Sequence, residues 1–186
     1  MGFWSKFQKN GDHDFLLAIA SHIADVVRCW ATYTIAHNAA LPIEEALRIM
    51  QVFAADKHFG VREISWMAIR NKIAGNLETS LLILSQWARH ENENIRRFAS
   101  ESTRPRGVWY EHIGTLIEHP ELALSIPNQL KADPSRYVQH SVGNWLNDAG
   151  KSKPGFVKEL RQRWEKESPG KATAYIIKKA LRIINK

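Results

Sequence analysis

Two stretches of this chain hold the residue types that could do chemistry. The first is Arg97-Phe98-Ala99-Ser100-Glu101-Ser102-Thr103-Arg104-Pro105-Arg106-Gly107-Val108-Trp109. Here a helix ends in two arginines about a proline, with a glutamate before them and a tryptophan after. The second is Tyr137-Val138-Gln139-His140-Ser141-Val142-Gly143-Asn144-Trp145-Leu146-Asn147-Asp148, followed by Lys151-Ser152-Lys153-Pro154. Asp148 falls near the C-terminal end of a predicted helix, where the dipole disfavours an acid by a few tenths of a kcal/mol. Such a carboxylate is either an ordinary surface residue or kept for a purpose. Each stretch also has a purely structural reading. Arg104 and Arg106 could end a helix paired to Glu101 and Glu111, Trp109 and Trp145 could be core, and Asn147 with Asp148 could cap the following turn.

Charge is the second chemical signal. From Lys151 to Lys186 there are 11 Lys and Arg against 3 Glu, a net +8, whereas the first 150 residues carry 15 basic and 16 acidic groups, a net −1. A local positive surface attracts polyanions, and each phosphate it neutralises releases counterions. A solvated basic helix pair without a partner is the competing reading. Cys29 is the only cysteine, which excludes an internal disulfide and a cysteine-rich zinc site; it reads as a small buried hydrophobe. His112 and His119 are seven apart and could share a helix face, but a metal site needs more ligands at tighter spacing. No metal and no cofactor are expected.

The elements that must position these residues read as helix after helix, because strict alternation over five or more residues is hard to find. Helices are predicted over Asp14–Ala36 (capped by Asp12 or Asp14), from Pro42 to about Ala55, and near 60–74, 77–89, 93–102, 109–118, 120–131, 135–149, 154–166 and 171–184. Breaks fall at Gly75-Asn76, His90 to Asn92, Pro105 to Gly107, Asp133-Pro134, Gly150 to Pro154 and Ser168-Pro169-Gly170. The aliphatic anchors Val61, Ile95 and Val138 each follow a short polar turn, and they lie 34 and 43 residues apart. Paired helices repeating at about 40 residues mark HEAT-type solenoids. The reading is therefore all-α, a HEAT-like-repeat α-α superhelix, as one domain over 1–186. Its groove would be lined by Arg62, Glu63, Arg96, Arg97 and His140. No apolar run reaches the about 18 residues that span a bilayer, and the opening residues fit neither a secretion signal nor a lipidation pattern. A cytoplasmic protein without a membrane partner is expected.

The first stretch resembles the Ser-Glu-Gly-x-Arg-Pro-Arg-x-Pro-Trp segment of the AlkC/AlkD family of DNA alkylation-repair proteins, on the AlkC side. The second resembles that family's Tyr-Val-x-x-Ser-Val-Ala-Asn-x-Leu-Asn-Asp segment. Ile176-Ile177-Lys178-Lys179-Ala180-Leu181-Arg182 is similar to the last helix of the same domain. The likeness covers about residues 55–186, with 1–55 as weakly matched N-terminal helices. Asn144 stands where the AlkD group usually has a tryptophan, which is why the AlkC side fits better. Two positions depart from the pattern: Ser102 replaces the motif's glycine and Val108 its proline.

The resemblance implies a HEAT-like solenoid that grips duplex DNA and removes cationic alkylated purines as a 3-methyladenine DNA glycosylase. It implies Glu101 and Asp148, with Glu63 as a less certain third, as carboxylates near the damaged nucleotide. Trp109, with Asn144 and Trp145, would meet the lesion. Arg97, Arg104 and Arg106, with Lys151 and Lys153, would hold phosphates or brace the loop. A cationic base leaves without a strong acid, so the carboxylates would stabilise the oxocarbenium-like sugar and orient the attacking water. Many AlkC-type enzymes also carry a C-terminal immunoglobulin-like domain, which this sequence does not include. The alternative is a catalytically weak or inactive HEAT-repeat member that binds DNA, or a scaffold for a protein partner. A monomer is expected.

Overall fold

A computed structural model describes residues 18–107 and 109–182, and every regular element among them is helical. In chain order they are α1 (Asp25–His37), α2 (Ile43–Ala54), α3 (Phe59–Gly75), α4 (Leu77–Trp87), α5 (Glu93–Ser102), α6 (Gly114–Glu118), a 3-10 turn (Pro120–Ala123), α7 (Ser125–Gln129), α8 (Arg136–Gly150), α9 (Pro154–Glu167) and α10 (Lys171–Ala180). Pro42 stands at the cap of α2, and Glu44 and Glu45 occupy its first turn, where acids complement the positive dipole end.

The predicted helix over Asp14–Ala36 is interrupted. Residues 21–24 are non-helical, and His22 Nδ1 accepts the Ala24 N–H at 3.1 Å. That break is made by side chains rather than by glycine or proline, so the pattern of apolar residues passes straight through it. The caps proposed at Asp12 and Asp14 lie outside the described residues. The predicted helix at 109–118 shrinks to α6, because 109–113 form a loop, and 120–131 divides into the 3-10 turn and α7. Cys29 is half-buried rather than buried.

The repeat has a physical basis that periodicity alone does not expose. Arg28, Arg62 and Arg96 are 34 residues apart. Each turns its guanidinium back onto two carbonyls of the preceding turn: His22 and Ile23 for Arg28, Asp56 and Lys57 for Arg62, and His90 and Glu91 for Arg96. In each case the first of those residues also uses its side chain to accept the N–H two positions on, as His22, Asp56 and His90 do. The fourth instance substitutes glutamine: Gln139 Nε2 donates to the Asp133 carbonyl at 2.7 Å, while Asp133 accepts the Ser135 N–H at 2.8 Å. Two of the arginines also reach the acid of the following turn, Arg28 to Asp56 at 2.7 Å and Arg96 to Asp133 at 2.6 Å. Arg62 and Arg96, expected to line a groove, thus spend their donors inside the turns that space the helices.

The chain divides into two compact units, Met1–Ile69 and Arg70–Lys186. In the first, α1 packs on α2, and Ile35, Leu47, Met50 and Phe53 are buried. In the second, α8 is the central helix, packed against α5, α9 and α10. Its residues Val138, Val142, Trp145 and Leu146 are buried, along with Phe98 of α5, Trp164 of α9 and Ile176 of α10. Asn147 Nδ2 donates to the Ala180 carbonyl at 3.0 Å, satisfying one of the acceptors that the end of α10 leaves open. Among the described residues no helix is long and apolar enough to cross a membrane.

Candidate functional site

The site is built within the second unit from three helices that each present a row at helical spacing. α5 and its following turn supply Arg97, Glu101 and Arg104; α8 supplies Arg136, His140, Asn144 and Asp148; α10 and its following turn supply Tyr175, Lys179 and Arg182. Residues three and four apart share a helix face, so each row falls on one side of its helix.

At its centre one guanidinium joins two carboxylates. Arg104 donates through Nε and Nη2 to Asp148 Oδ2, at 2.8 and 2.6 Å, and through Nη1 to Glu101 Oε2 at 3.0 Å. Glu101 and Asp148 are each only 3% exposed. Lys151 Nζ reaches the other Asp148 oxygen at 2.9 Å, and Arg97 lies 3.6 Å from the other Glu101 oxygen. Burial opposes the charge on Arg104, but Glu101 and Asp148 together hold its pKa above the ordinary value. The unfavourable place of Asp148 at the end of α8 is thereby compensated: two cations, not the helix, set its electrostatics. Arg104, expected to hold a phosphate or brace the loop, links the two acids, with a side chain 12% exposed.

The loop after α5 is held by a residue that the motifs did not single out. Arg70 is 1% exposed and donates to the carbonyls of Ser102 at 3.0 Å, Glu101 at 3.5 Å and Glu111 at 3.1 Å, and to that of Arg104. One cation therefore fastens both ends of the loop and the C-terminal carbonyls of α5. Burial, reinforced by the charge of Arg104, pulls its pKa down to about 10. Ile113 N–H closes the loop onto the Pro105 carbonyl at 3.0 Å. A Cβ on Gly107 would sit 2.6 Å from the Tyr110 carbonyl oxygen, so the chain passes there only without a side chain. Trp109, presented by this loop, is 81% exposed. The sequence offers little advance signal for Arg70, which opens the polar run Arg70-Asn71-Lys72 after the apolar Trp66 to Ile69.

The other expected residues divide. Trp145 is fully buried, and its Nε1 donates to the Thr103 carbonyl at 2.9 Å; it cannot meet a ligand and instead supports the loop from beneath. Asn144 is half-buried and accepts from Arg182 Nη2 at 3.3 Å. Arg106 donates to Ser152 Oγ at 2.6 Å, while Lys151 and Lys153 are exposed. The Arg97 guanidinium stacks 4.1 Å over the Tyr137 ring. Glu63 belongs to the first unit, where its carboxylate accepts from Trp66 Nε1 at 3.0 Å.

Residues 61–182 match the model of a family described as DNA alkylation repair enzyme. The chain belongs to that family. Among solved structures it is similar to the Pseudomonas fluorescens alkylpurine DNA glycosylase AlkC bound to DNA containing an abasic site analog. The identity is 29%, and the match covers 100% of this chain and 48% of that one, with a TM-score of 0.78. It is similar in fold to AlkD2 from Streptococcus mutans, with 24% identity over 98% of this chain and 87% of that chain and a TM-score of 0.75. The Bacillus subtilis (strain 168) protein YhaZ, described as uncharacterized, is 34% identical over 143 residues, 77% of this chain and 38% of YhaZ. The chain thus spans less than half the length of AlkC and of YhaZ. With these neighbours the fold class is all-α with HEAT-like helical repeats.

Proposed function

We propose that the chain acts on duplex DNA as a monofunctional glycosylase releasing N3- or N7-alkylated purines. The observation that carries this reading is the buried pair Glu101 and Asp148, fixed by one guanidinium beside the loop that presents Trp109. The likeness to AlkC, an alkylpurine DNA glycosylase, supports it. In hydrolysis the bond from C1′ to the purine nitrogen breaks, and the cationic base leaves as a neutral molecule with the bonding pair. Water then adds to C1′ and loses a proton. Asp148 and Glu101 stabilise the positive sugar and orient that water, while the Trp109 face attracts the cationic base, worth about 0.5–2 kcal/mol. Arg97, Arg106, Lys151 and Lys153 hold the backbone.

The test is base release from methylated duplex DNA under single-turnover conditions. Asp148→Asn should slow release about 10²–10³-fold, the loss seen when one preorganised group is removed. An undiminished rate would sink the reading.

A second reading is favoured by the same burial: both carboxylates are already neutralised by cations and 3% exposed. On that reading the protein binds DNA without turnover. DNA binding with steep salt dependence and no base release from the native chain would establish it.

A further inference from the structure

One flank of α4 carries an apolar surface that the carboxylate site does not use. α4 buries Ser80, Leu84 and Trp87, which share one helix face. The rest of a surface helix is ordinarily polar, but here Leu82 is 65% exposed, and Leu77 and Leu81 are half-buried. The 3-10 turn meets this flank with Leu122, 52% exposed. Together they line a groove of about 580 Å³, with Glu78 at its side. The groove is preformed: Gln129 of α7 donates through Nε2 to the Ser85 carbonyl of α4 at 3.1 Å, which ties its walls together. Among the described residues of the second unit, three large hydrophobic side chains are exposed: Leu82, Trp109 and Leu122. Trp109 belongs to the loop of the site, and the other two flank this one groove. Single scattered leucines need no partner, but two exposed ones converging on a concavity mark an interaction surface.

Charge selects the partner. α4, α6, the 3-10 turn and α7 together contain Glu78, Glu118 and Glu121 and no Lys or Arg, in a chain of net charge +7. Their one histidine, His119, is paired with Glu121 at 3.0 Å. Arg89, just beyond α4, is turned to the Gln129 side chain. The elements that wall the groove are thus acidic on a basic protein; they repel nucleic acid and anionic lipid and attract cations.

We propose that the groove docks an amphipathic helix of a protein partner, whose leucine-type anchors fill it and whose lysines or arginines meet Glu78 and its acidic neighbours. Leu77 to Ser85 spans about 12 Å along α4, two turns, which takes anchors spaced three, four or seven residues apart. Docking there needs neither base release nor DNA at the carboxylate site, so it stands apart from the glycosylase reading.

The experiment is titration of the full chain into a fluorescein-labelled helical peptide of leucine and lysine, with leucines at i, i+3, i+4 and i+7, read by anisotropy. Its counterpart with glutamate for lysine is the second probe. The native chain should bind the lysine peptide one to one, and at least about 10-fold more tightly than the glutamate peptide. Leu82→Asn and Leu122→Asn should each weaken binding by about 10-fold, the effect of withholding one leucine from burial. Trp30→Ser, which removes a 69% exposed hydrophobe outside the groove, should not. Glu78→Gln should narrow the preference for lysine. Equal binding by the native chain and both leucine variants, equal affinity for the two peptides, an equal loss in Trp30→Ser, or an unchanged preference in Glu78→Gln would each overturn the proposal. So would sedimentation showing a native dimer that Leu82→Asn dissociates, which would make a second copy the occupant. Base release without peptide binding would overturn this proposal alone, and peptide binding without base release the glycosylase reading alone.

Discussion

A carboxylate buried to 3% exposure is tolerable only when something cancels its charge. Here Arg104 cancels two at once, and Lys151 adds a second cation on the far oxygen of Asp148. Removing Arg104 therefore does more than delete an ion pair, since it leaves Asp148 to Lys151 alone and Glu101 to Arg97 alone, at 3.6 Å, in a dry setting. Arg104→Gln should cost about 3–5 kcal/mol of stability, the range for breaking a buried pair. Urea unfolding measures this, and a loss below about 1 kcal/mol would show that the acids find other partners. Both acids are visible in the motifs, but the motifs leave Arg104 open between a phosphate, the loop and Glu101, and give no sign that it joins Asp148. That Arg104 turns inward depends on α5 and α8 lying side by side, which no local pattern encodes.

The helices are spaced by turns that share one device, an arginine six residues after a capping side chain. Arg96 illustrates its weight: it closes the His90–Glu91 carbonyls and pairs with Asp133, whose side chain is 3% exposed. Arg96→Met should destabilise by about 3 kcal/mol or more, because Asp133 is left buried without a counter-charge. A denaturation midpoint equal to that of the native chain would contradict this. The spacing of the helices was legible from the aliphatic anchors. The arginines at 28, 62 and 96 were equally regular in the sequence, yet a charged residue at a helix start reads first as a solvated or groove-facing one. Trp145 misled for a related reason, since a tryptophan in a site motif can meet a ligand or hold the backbone that presents another tryptophan, and only burial separates the two.

For the molecule as a whole, charge couples stability to pH and salt. The folded His140 pKa lies below its ordinary value of 6.5, from burial first and then from Lys179, Arg136, Arg182 and Arg97. Below pH 6.5 the unfolded chain binds the proton that the folded chain refuses, so stability falls as the pH drops from 6.5 toward the depressed value. Thermal unfolding between pH 7.5 and 5 should show that decline, and His140→Gln should flatten it. A native chain and variant with parallel profiles would remove His140 as the cause.

Helix succession, the repeat length, the two acids and the basic C-terminal excess were all determined by the sequence, because each depends on local spacing or on residue type. Tertiary structure alone decided which cations serve the acids. It also made Arg70 the fastening of the loop. Those assignments depend on side chains 31 to 46 residues apart meeting across packed helices, and a guanidinium follows the nearest uncompensated oxygen, not its neighbours in the chain.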